Sequence, residues 1–480
     1  MVAREEQLRV GSILLAPGFK PYNAALSEEF GFGRFPNVIT ALQFERLLSA
    51  SGPTMGHIVR PSDGQEPGRI AFLQCVGSRD QTHDYCSSVC CMYATKEAII
   101  AKEHQPDLNI NVFMMDMRAF SKGYWDYYLR AREQYGIQYT RCRASMLHEN
   151  EINHNLILVY VDENNTRLEE EFDMVVLSTG MEISQSVRDL AGRINVDTDQ
   201  YGFCIADGSN PLQTSRPGIF AAGPFREPKD IPESVIEASG ASAAAAGILA
   251  EARFSLTTQT EYPPERDVSA EEARIGVFVC HCGSNIAGFL DVGQVTEHAR
   301  GLTGVVFAES NLYACSQDSI KRISEVIVER SLNRVVVASC SPLTHQPLFQ
   351  DCLRAAGLNP YLFEMANIRD QCSWVHPLEP EAATEKAIEL VKMSVGRTRH
   401  LSPLQGTSLP VHQTGLVIGG GVSGMTAALS LADQGFPTTL IEKSEALGGH
   451  LYDIHFTLEQ DNISDMRRTL IDRVTMHPKI

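Results

Sequence analysis

Cys75, Cys86, Cys90 and Cys91 gather four thiols in one short stretch, Cys75-Val-Gly-Ser-Arg-Asp followed by Tyr85-Cys-Ser-Ser-Val-Cys-Cys91. Cys86 and Cys90 are four residues apart and share a face if a helix has begun there. Four thiolates suit a [4Fe–4S] cluster or zinc, and redox-active or inert thiols remain as the plainer reading. Zinc sites usually show paired Cys-x-x-Cys knuckles, which this stretch lacks, so the cluster is favoured. A second group follows: Cys280 and Cys282 in Val-Cys-His-Cys-Gly, Cys315 after Leu-Tyr-Ala, Cys340 after Val-Val-Val-Ala-Ser, and Cys372 in Asp-Gln-Cys-Ser-Trp. Residues at the carboxyl ends of parallel strands converge on one crevice. Cys282, Cys315, Cys340 and Cys372 are therefore expected to ligate a second cluster. Cys352 reads as helix core, and Cys142 and Cys204 as small buried apolar residues. His281, His345 and His376 flank the second group and read as hydrogen-bonded structural residues.

A third constellation is built of glycine. In Gly-Leu-Val-Ile-Gly-Gly-Gly-Val-Ser-Gly-Met, the residues Gly419, Gly421 and Gly424 satisfy GxGxxG between an apolar strand and a helix expected over Val422–Gln434. One glycine permits the tight turn, the next lets backbone approach a pyrophosphate, and the third lets helix and strand pack closely. The helix N-terminus offers free N–H groups to the anion. A second strand, Thr438–Ile441, ends in Glu442, placed to accept from a ribose diol and to repel a 2′-phosphate. Gly448 and Gly449 add a second glycine pair, which resembles the FAD version of this fold more than the NAD version. FAD is the expected ligand, with NAD the alternative.

The elements that must position these groups alternate. Apolar runs at Ser12–Ala16, Ile70–Gln74, Asn111–Met115, Leu156–Tyr160, Met174–Ser178 and Gly218–Ala222 are separated by helical stretches, the pattern of an α/β protein. This first segment covers residues 1–256. A polar, Pro-containing linker, Thr257–Glu272, leads to a second α/β segment over residues 273–398, with strands at Ile275–Val279, Val305–Phe307 and Arg334–Ala338. Another linker, His400–Gln413, precedes the third segment, residues 414–480. Met476–Ile480 reads as the start of a further strand, so the chain is expected to be a fragment or part of a split arrangement.

Composition narrows the function classes. The 480 residues carry a formal charge of −18, with 43% hydrophobic and 21% charged residues. That balance argues against nucleic-acid or anionic-membrane binding, which depends on Lys and Arg. No run of about 20 apolar residues could span a bilayer, and no N-terminal signal pattern appears. A cytoplasmic protein is expected, and thiols there stay reduced, so twelve cysteines point to metal or redox chemistry rather than disulfides.

Segment one also resembles the other part of a flavoprotein. Ala16-Pro-Gly18 and Ser178-Thr-Gly180 resemble the Ala-Thr-Gly elements of two-dinucleotide-domain flavoproteins. Thr214-Ser-Arg-Pro-Gly-Ile-Phe-Ala-Ala-Gly223 resembles their second FAD motif, although Pro224 stands where an aspartate is usual. Where that superfamily carries a nicotinamide site, cysteines follow Gln74 instead of a phosphate-binding glycine loop, which disfavours NAD(P)H there.

Longer stretches resemble the A-type subunits of CoB–CoM heterodisulfide reductases. These are Cys75–Asp80, Tyr85-Cys-Ser-Ser-Val-Cys-Cys-Met-Tyr-Ala-Thr-Lys96, Asp116-Met-Arg-Ala-Phe-Ser-Lys-Gly-Tyr124 and Pro228-Lys-Asp-Ile-Pro-Glu-Ser234. Segment two resembles the N-terminal domain of that family through Val279–Gly283, Ser339–Pro342 and Glu364–Arg369, and segment three the start of its FAD domain. The order resembles the junction of two tandem units. The resemblance implies thioredoxin-reductase-like, Rossmann-type pieces of a two-dinucleotide-domain flavoprotein plus a separate α/β N-terminal-type domain. It implies FAD, [4Fe–4S] clusters and electron transfer with flavin-based bifurcation. The implied partners are B- and C-type subunits, ferredoxin, and a hydrogenase or formate dehydrogenase module. Lys229 and Lys122 would place positive charge near the flavin or cluster, or else be solvated surface lysines. The competing readings are a non-catalytic flavoprotein-like scaffold and a nicotinamide-dependent disulfide reductase.

Overall fold

The computed structural model describes residues 7–207, 210–258, 260–457 and 462–480. The chain divides into two compact units, Met1–Leu256 with Val411–Ile480, and Thr257–Pro410.

In the first unit, β1 (Ile13–Leu15) is followed by β2 (Val38–Thr40) and α1 (Ala41–Leu48), then β3 (Arg69–Val76), α2 (Cys90–His104), β4 (Asn109–Met114), α3 (Tyr124–Glu133) and β5 (Gln138–Arg141). Three strands, β6 (Ala144–Glu149), β7 (Leu156–Val161) and β8 (Arg167–Phe172), lead to β9 (Met174–Thr179). Strands β2, β9, β3, β4 and β5 form one parallel sheet in that order. Its centre is covered on both faces, which is why β3 and β9 are continuous apolar runs rather than alternating ones. Ile70 and Phe72 of β3 face Phe44 of α1 and Ala94 and Ala98 of α2. Ala71 and Leu73 face Leu156, Leu158 and Phe172 of the antiparallel sheet β6–β7–β8. The Leu156–Tyr160 run is thus a strand of this cover.

A second sheet pairs β1 in parallel with β10 (Ile219–Ala221). The helix α4 (Ile231–Ile248) follows, and Asp230 and Glu233 close its N-terminus as a capping box.

The second unit is a parallel sheet of its own. It comprises β11 (Ile275–Cys280), α5 (Val292–Arg300), β12 (Val305–Asn311), α6 (Gln317–Glu329), β13 (Arg334–Ser339), α7 (Pro342–Ala355), β14 (Phe363–Asn367) and α8 (Pro380–Thr398). The strand order is β12-β11-β13-β14, with a buried core on each face. Strand β14 lies beyond the expected set.

The last part of the first unit is β15 (Gly415–Ile418), α9 (Val422–Asp433), β16 (Thr438–Ile441) and α10 (Ile463–Met476), with β15 and β16 parallel. It packs against α4 through α9, and the Arg253 guanidinium lies 4.6 Å from the Phe436 ring centre. The strand expected at Met476–Ile480 is not formed. Met476 closes α10, which Asn462 caps, and Lys479 reaches β16 only through its carbonyl, which accepts from Thr438 N at 2.7 Å. Among the described residues, no helix is long and apolar enough to cross a membrane.

Candidate functional site

The end of β3, the loop after it and the start of α2 carry the first four thiols. Cys75, Arg79 and Ser88 hold φ of 62°, 58° and 62°, a left-handed conformation costly for residues with a Cβ. Buried hydroxyls hold it there. Ser78 Oγ donates to Tyr85 O at 2.9 Å and accepts from Ser87 N at 3.0 Å, while Ser87 Oγ accepts from Met181 N at 2.9 Å. The cysteine loop and the Thr179–Met181 turn are therefore bonded to each other. Gly180 makes that approach possible, because a Cβ there would sit 2.5 Å from Gly77 O. Gly180→Ala is expected to cost about 1–3 kcal/mol of stability, the usual penalty of overpacking, read from urea-unfolding midpoints.

The four thiols are electrostatic neighbours. Burial pushes the Cys75 thiol up to about 11, and the charges of Cys91 and Cys86 add to it. Burial likewise raises Cys90 and Cys91. Cys90 Sγ lies 3.8 Å from Thr179 O, and Cys91 Sγ lies 3.7 Å from Asp116 O. The Asp116 carboxylate takes 2.7 and 3.2 Å bonds from Arg79 and 3.0 and 3.3 Å bonds from Arg118. Burial alone would raise its pKa, but these two guanidiniums lower it. Cys90 and Cys91 open α2, whose N-terminus has no side-chain cap, so the partial positive charge of the helix start lies beside these two thiols with no side-chain acceptor to offset it. Among the described residues, no three His, Cys, Asp or Glu side chains converge closely enough to grip a single metal ion. A cubane spreads its thiolates wider than a single zinc ion does, and this all-sulfur set beside a bare helix N-terminus fits a cluster.

A cavity of about 780 Å³ lies against this loop, walled by Phe19, Ser88, Val89, Met92, Tyr93, Met181, Pro224 and Lys229 among others. Phe19, Met181 and Pro224 directly follow Gly18, Gly180 and Gly223, so three glycine elements from distant parts of the chain meet here. Lys229 is 4% exposed and ion-paired to Glu237 at 2.5 Å and Glu227 at 3.3 Å. Glu237 also accepts from Gly223 N at 2.9 Å and Arg226 at 3.1 Å. A carboxylate thus stands beside Gly223 despite Pro224, supplied from α4 rather than from the next residue. Nothing in the local motif signals it. Lys122 also lines the cavity.

The GxGxxG loop forms in the last part of the chain. A Cβ on Gly424 would meet Gly419 O at 1.7 Å, while Gly421 opens onto free space at the start of α9. Glu442 folds back on the loop, accepting from Gly420 N at 2.6 Å and Ser444 N at 2.8 Å. Those two bonds hold its carboxyl below the usual range. Gly448 N donates to Gly420 O at 2.8 Å, and Gly449 lies alongside Gly421. This loop contributes no wall to the 780 Å³ cavity.

In the second unit, Cys282, Cys315 and Cys340 lie near one another at the carboxyl end of the sheet, with Arg369 beside them. Arg369 donates to Cys282 Sγ at 3.7 Å. The Cys280 thiol, then Arg369, lower the Cys282 pKa. Cys280, left out of the expected ligand set, is thus closer to this group than Cys372. Cys372 is fully buried in the core on the other face of the sheet, its thiol donating to Ala383 O at 3.0 Å. The wide turn Arg369–Ser373 after β14, with Ser373 N bonded to Ile368 O, carries it there. Cys352 is core, as expected, its thiol bonded to Ile320 O.

Residues 417–468 match the family described as an NAD(P)-binding Rossmann-like domain. The second A-type iron–sulfur subunit of the CoB–CoM heterodisulfide reductase of Methanopyrus kandleri is 45% identical over 252 residues, covering 52% of this chain and 38% of that protein. The A-type subunit of the H2/formate:CoB–CoM heterodisulfide,ferredoxin reductase of Methanococcus maripaludis is 40% identical, covering 53% of this chain and 39% of its own length. The chain spans well under half the length of these curated relatives. A solved Escherichia coli structure, the Cu(II) complex of the HOCl-induced flavoprotein disulfide reductase RclA, aligns at 11% identity with a TM-score of 0.33, covering 50% of this chain and 44% of that one. That superposition is too loose to argue from.

Proposed function

From kinship with the A-type subunits of heterodisulfide reductases over about half the chain, we propose that this protein is an FAD- and iron–sulfur-dependent electron-transfer component of a heterodisulfide reductase-like complex. One observation carries the reading. A ring-sized cavity, walled by the neighbours of Gly18, Gly180 and Gly223, shares Ser88, Val89 and Met92 with the loop that holds four thiols.

Cys75, Cys86, Cys90 and Cys91 would hold a [4Fe–4S] cluster. Cys282, Cys315 and Cys340 are the candidates for a second, with Cys280 or a turned-out Cys372 completing the set. Gly419, Gly421 and Gly424, with Gly448 and Gly449, would take an FAD pyrophosphate at the bare start of α9, apart from the cavity beside the thiols, and Glu442 keeps lone pairs for a ribose. FAD supplies the exchange between paired and single electrons that such a centre needs. The chain's own residues give the cavity a mostly apolar wall, fix that wall through the Ser87–Met181 bond, and counter thiolate charge with Arg79 and Arg118. A cytoplasmic complex with B- and C-type subunits, ferredoxin and a hydrogenase or formate dehydrogenase module, operating by electron bifurcation, completes the reading.

Anaerobically purified protein is expected to carry flavin absorbance, iron and acid-labile sulfide. Cys90→Ser should lose most of the iron assigned to the first cluster while leaving that of the second unit in place. Colourless, iron-free wild-type protein would favour the scaffold reading instead. NADPH-driven reduction of a small disulfide would favour the nicotinamide-dependent one.

A further inference from the structure

Glu97 is 3% exposed, and its Oε2 has no hydrogen-bond partner. It lies on α2 seven residues after Cys90, on the same helix face. It lines a cavity of about 290 Å³ that shares Phe19, Val89, Tyr93 and Met181 with the larger one. A carboxyl buried for structure alone would be hydrogen-bonded or paired. In Glu97 a hydrogen bond to the Glu45 side chain still leaves Oε2 without a partner. Glu45 of α1 carries the route outward: its side chain is 43% exposed and bonded to Lys96 at 2.5 Å. Burial, then the charge of Glu45, lifts the Glu97 pKa to about 9, against a smaller opposing pull from Lys96. Tyr93, on the same helix, donates to Thr179 O at 3.1 Å. From α3 comes Tyr127, which feels Lys96. Strand β9 brings no ionisable side chain, and β3 brings only Cys75 and, at its far end, Arg69, which pairs with Glu170.

We propose that Glu97 is the proton-exchanging group of this cavity, giving its carboxyl proton to a hydrogen-bond-accepting heteroaromatic ring when that ring gains electrons, and regaining one from solvent past Glu45. This rests on the flavin reading above. Glu97 loses its O–H bond as an N–H bond forms on the ring. The electron pair comes from an external reductant, an iron–sulfur donor in the reading above and dithionite in the test. The resulting carboxylate regains its proton from solvent water, which reaches it past the exposed Glu45 side chain.

The test uses the full chain as purified, with its flavin, under anaerobic conditions. Bleaching of the flavin by dithionite is followed across pH in wild type, Glu97→Gln, Glu97→Asp and Glu45→Gln. Glu97→Gln should keep its flavin and bleach about 100-fold more slowly, the scale of general acid catalysis. Glu97→Asp and Glu45→Gln should show smaller losses. The wild-type rate should fall as pH rises past about 9, while the Gln variant should lack that limb. Wild-type rates and pH profile in Glu97→Gln would overturn the inference. Should that variant fail to fold, unchanged rates in both Glu97→Asp and Glu45→Gln would overturn it equally. A flavin-free wild type would overturn the flavin reading itself and remove the acceptor on which this inference stands.

Discussion

Lys229→Met is expected to destabilise the folded protein by about 3 kcal/mol, the lower part of the range for breaking a buried ion pair. The ammonium is almost fully enclosed and touches Glu237 at 2.5 Å. Removing it leaves that carboxylate, 15% exposed, with only Arg226 and Gly223 N as partners. Arg226, at 3.1 Å, is why the cost should fall at the low end. The double variant Lys229→Met/Glu237→Gln should recover much of the loss, since no uncompensated charge then stays buried. Urea-unfolding midpoints of the two variants and Glu237→Gln alone close the cycle. A loss below about 1 kcal/mol for the single variant would mean the pair behaves as a solvated surface contact. The same geometry bears on charge near the cavity: the Lys229 charge is already balanced by Glu237.

Stability should also decline as pH rises across the neutral range, and Glu97→Gln should remove that decline. The folded protein keeps the Glu97 proton up to about 9, whereas the unfolded chain releases it near the ordinary glutamate value of about 4.3. Between those limits the folded state binds more protons. Its stability from this group is complete at low pH and is lost as pH climbs through the folded value, by about 1.4 kcal/mol per pH unit while only the unfolded chain is ionised. Above about 9 both states are ionised and the slope from this group ends. Glutamine keeps the shape of the neutral acid without the proton to lose. Unfolding free energies of wild type and Glu97→Gln should coincide near pH 5 and separate steadily toward pH 9, with the variant the more stable. Parallel curves would show that the carboxyl is ionised at neutrality.

Much of this architecture was legible in the residues. Runs such as Ile70–Gln74 and Met174–Ser178 announce strands because their sheet is covered on both faces, so nothing breaks the apolar run. The GxGxxG turn was equally plain, since Gly424 against Gly419 O leaves no room for a side chain. Strand β14 escaped notice because Phe-Glu-Met-Ala-Asn carries a glutamate and an asparagine at a sheet edge. Cys372 was misplaced because strand direction says where a loop starts but not how a wide turn rotates its fourth residue. Glu97 and Glu237 could not have been found by pattern. A glutamate on a helix ordinarily marks the wet face, and only the packing of α1 on α2, or of α4 on the Gly223 turn, reverses that.

The hydrogen bond from Met181 N to Ser87 Oγ has a mechanical consequence. It ties the cysteine loop to the cavity floor, so that movement of one pulls on the other. With a cluster on the thiols and a flavin in the cavity, as proposed, little nuclear rearrangement would have to accompany each electron, and the distance between the two would be set by the fold. A loosened tie, as in Ser87→Gly, would be felt first as broadened spectra and slower intramolecular transfer, before any cofactor was lost.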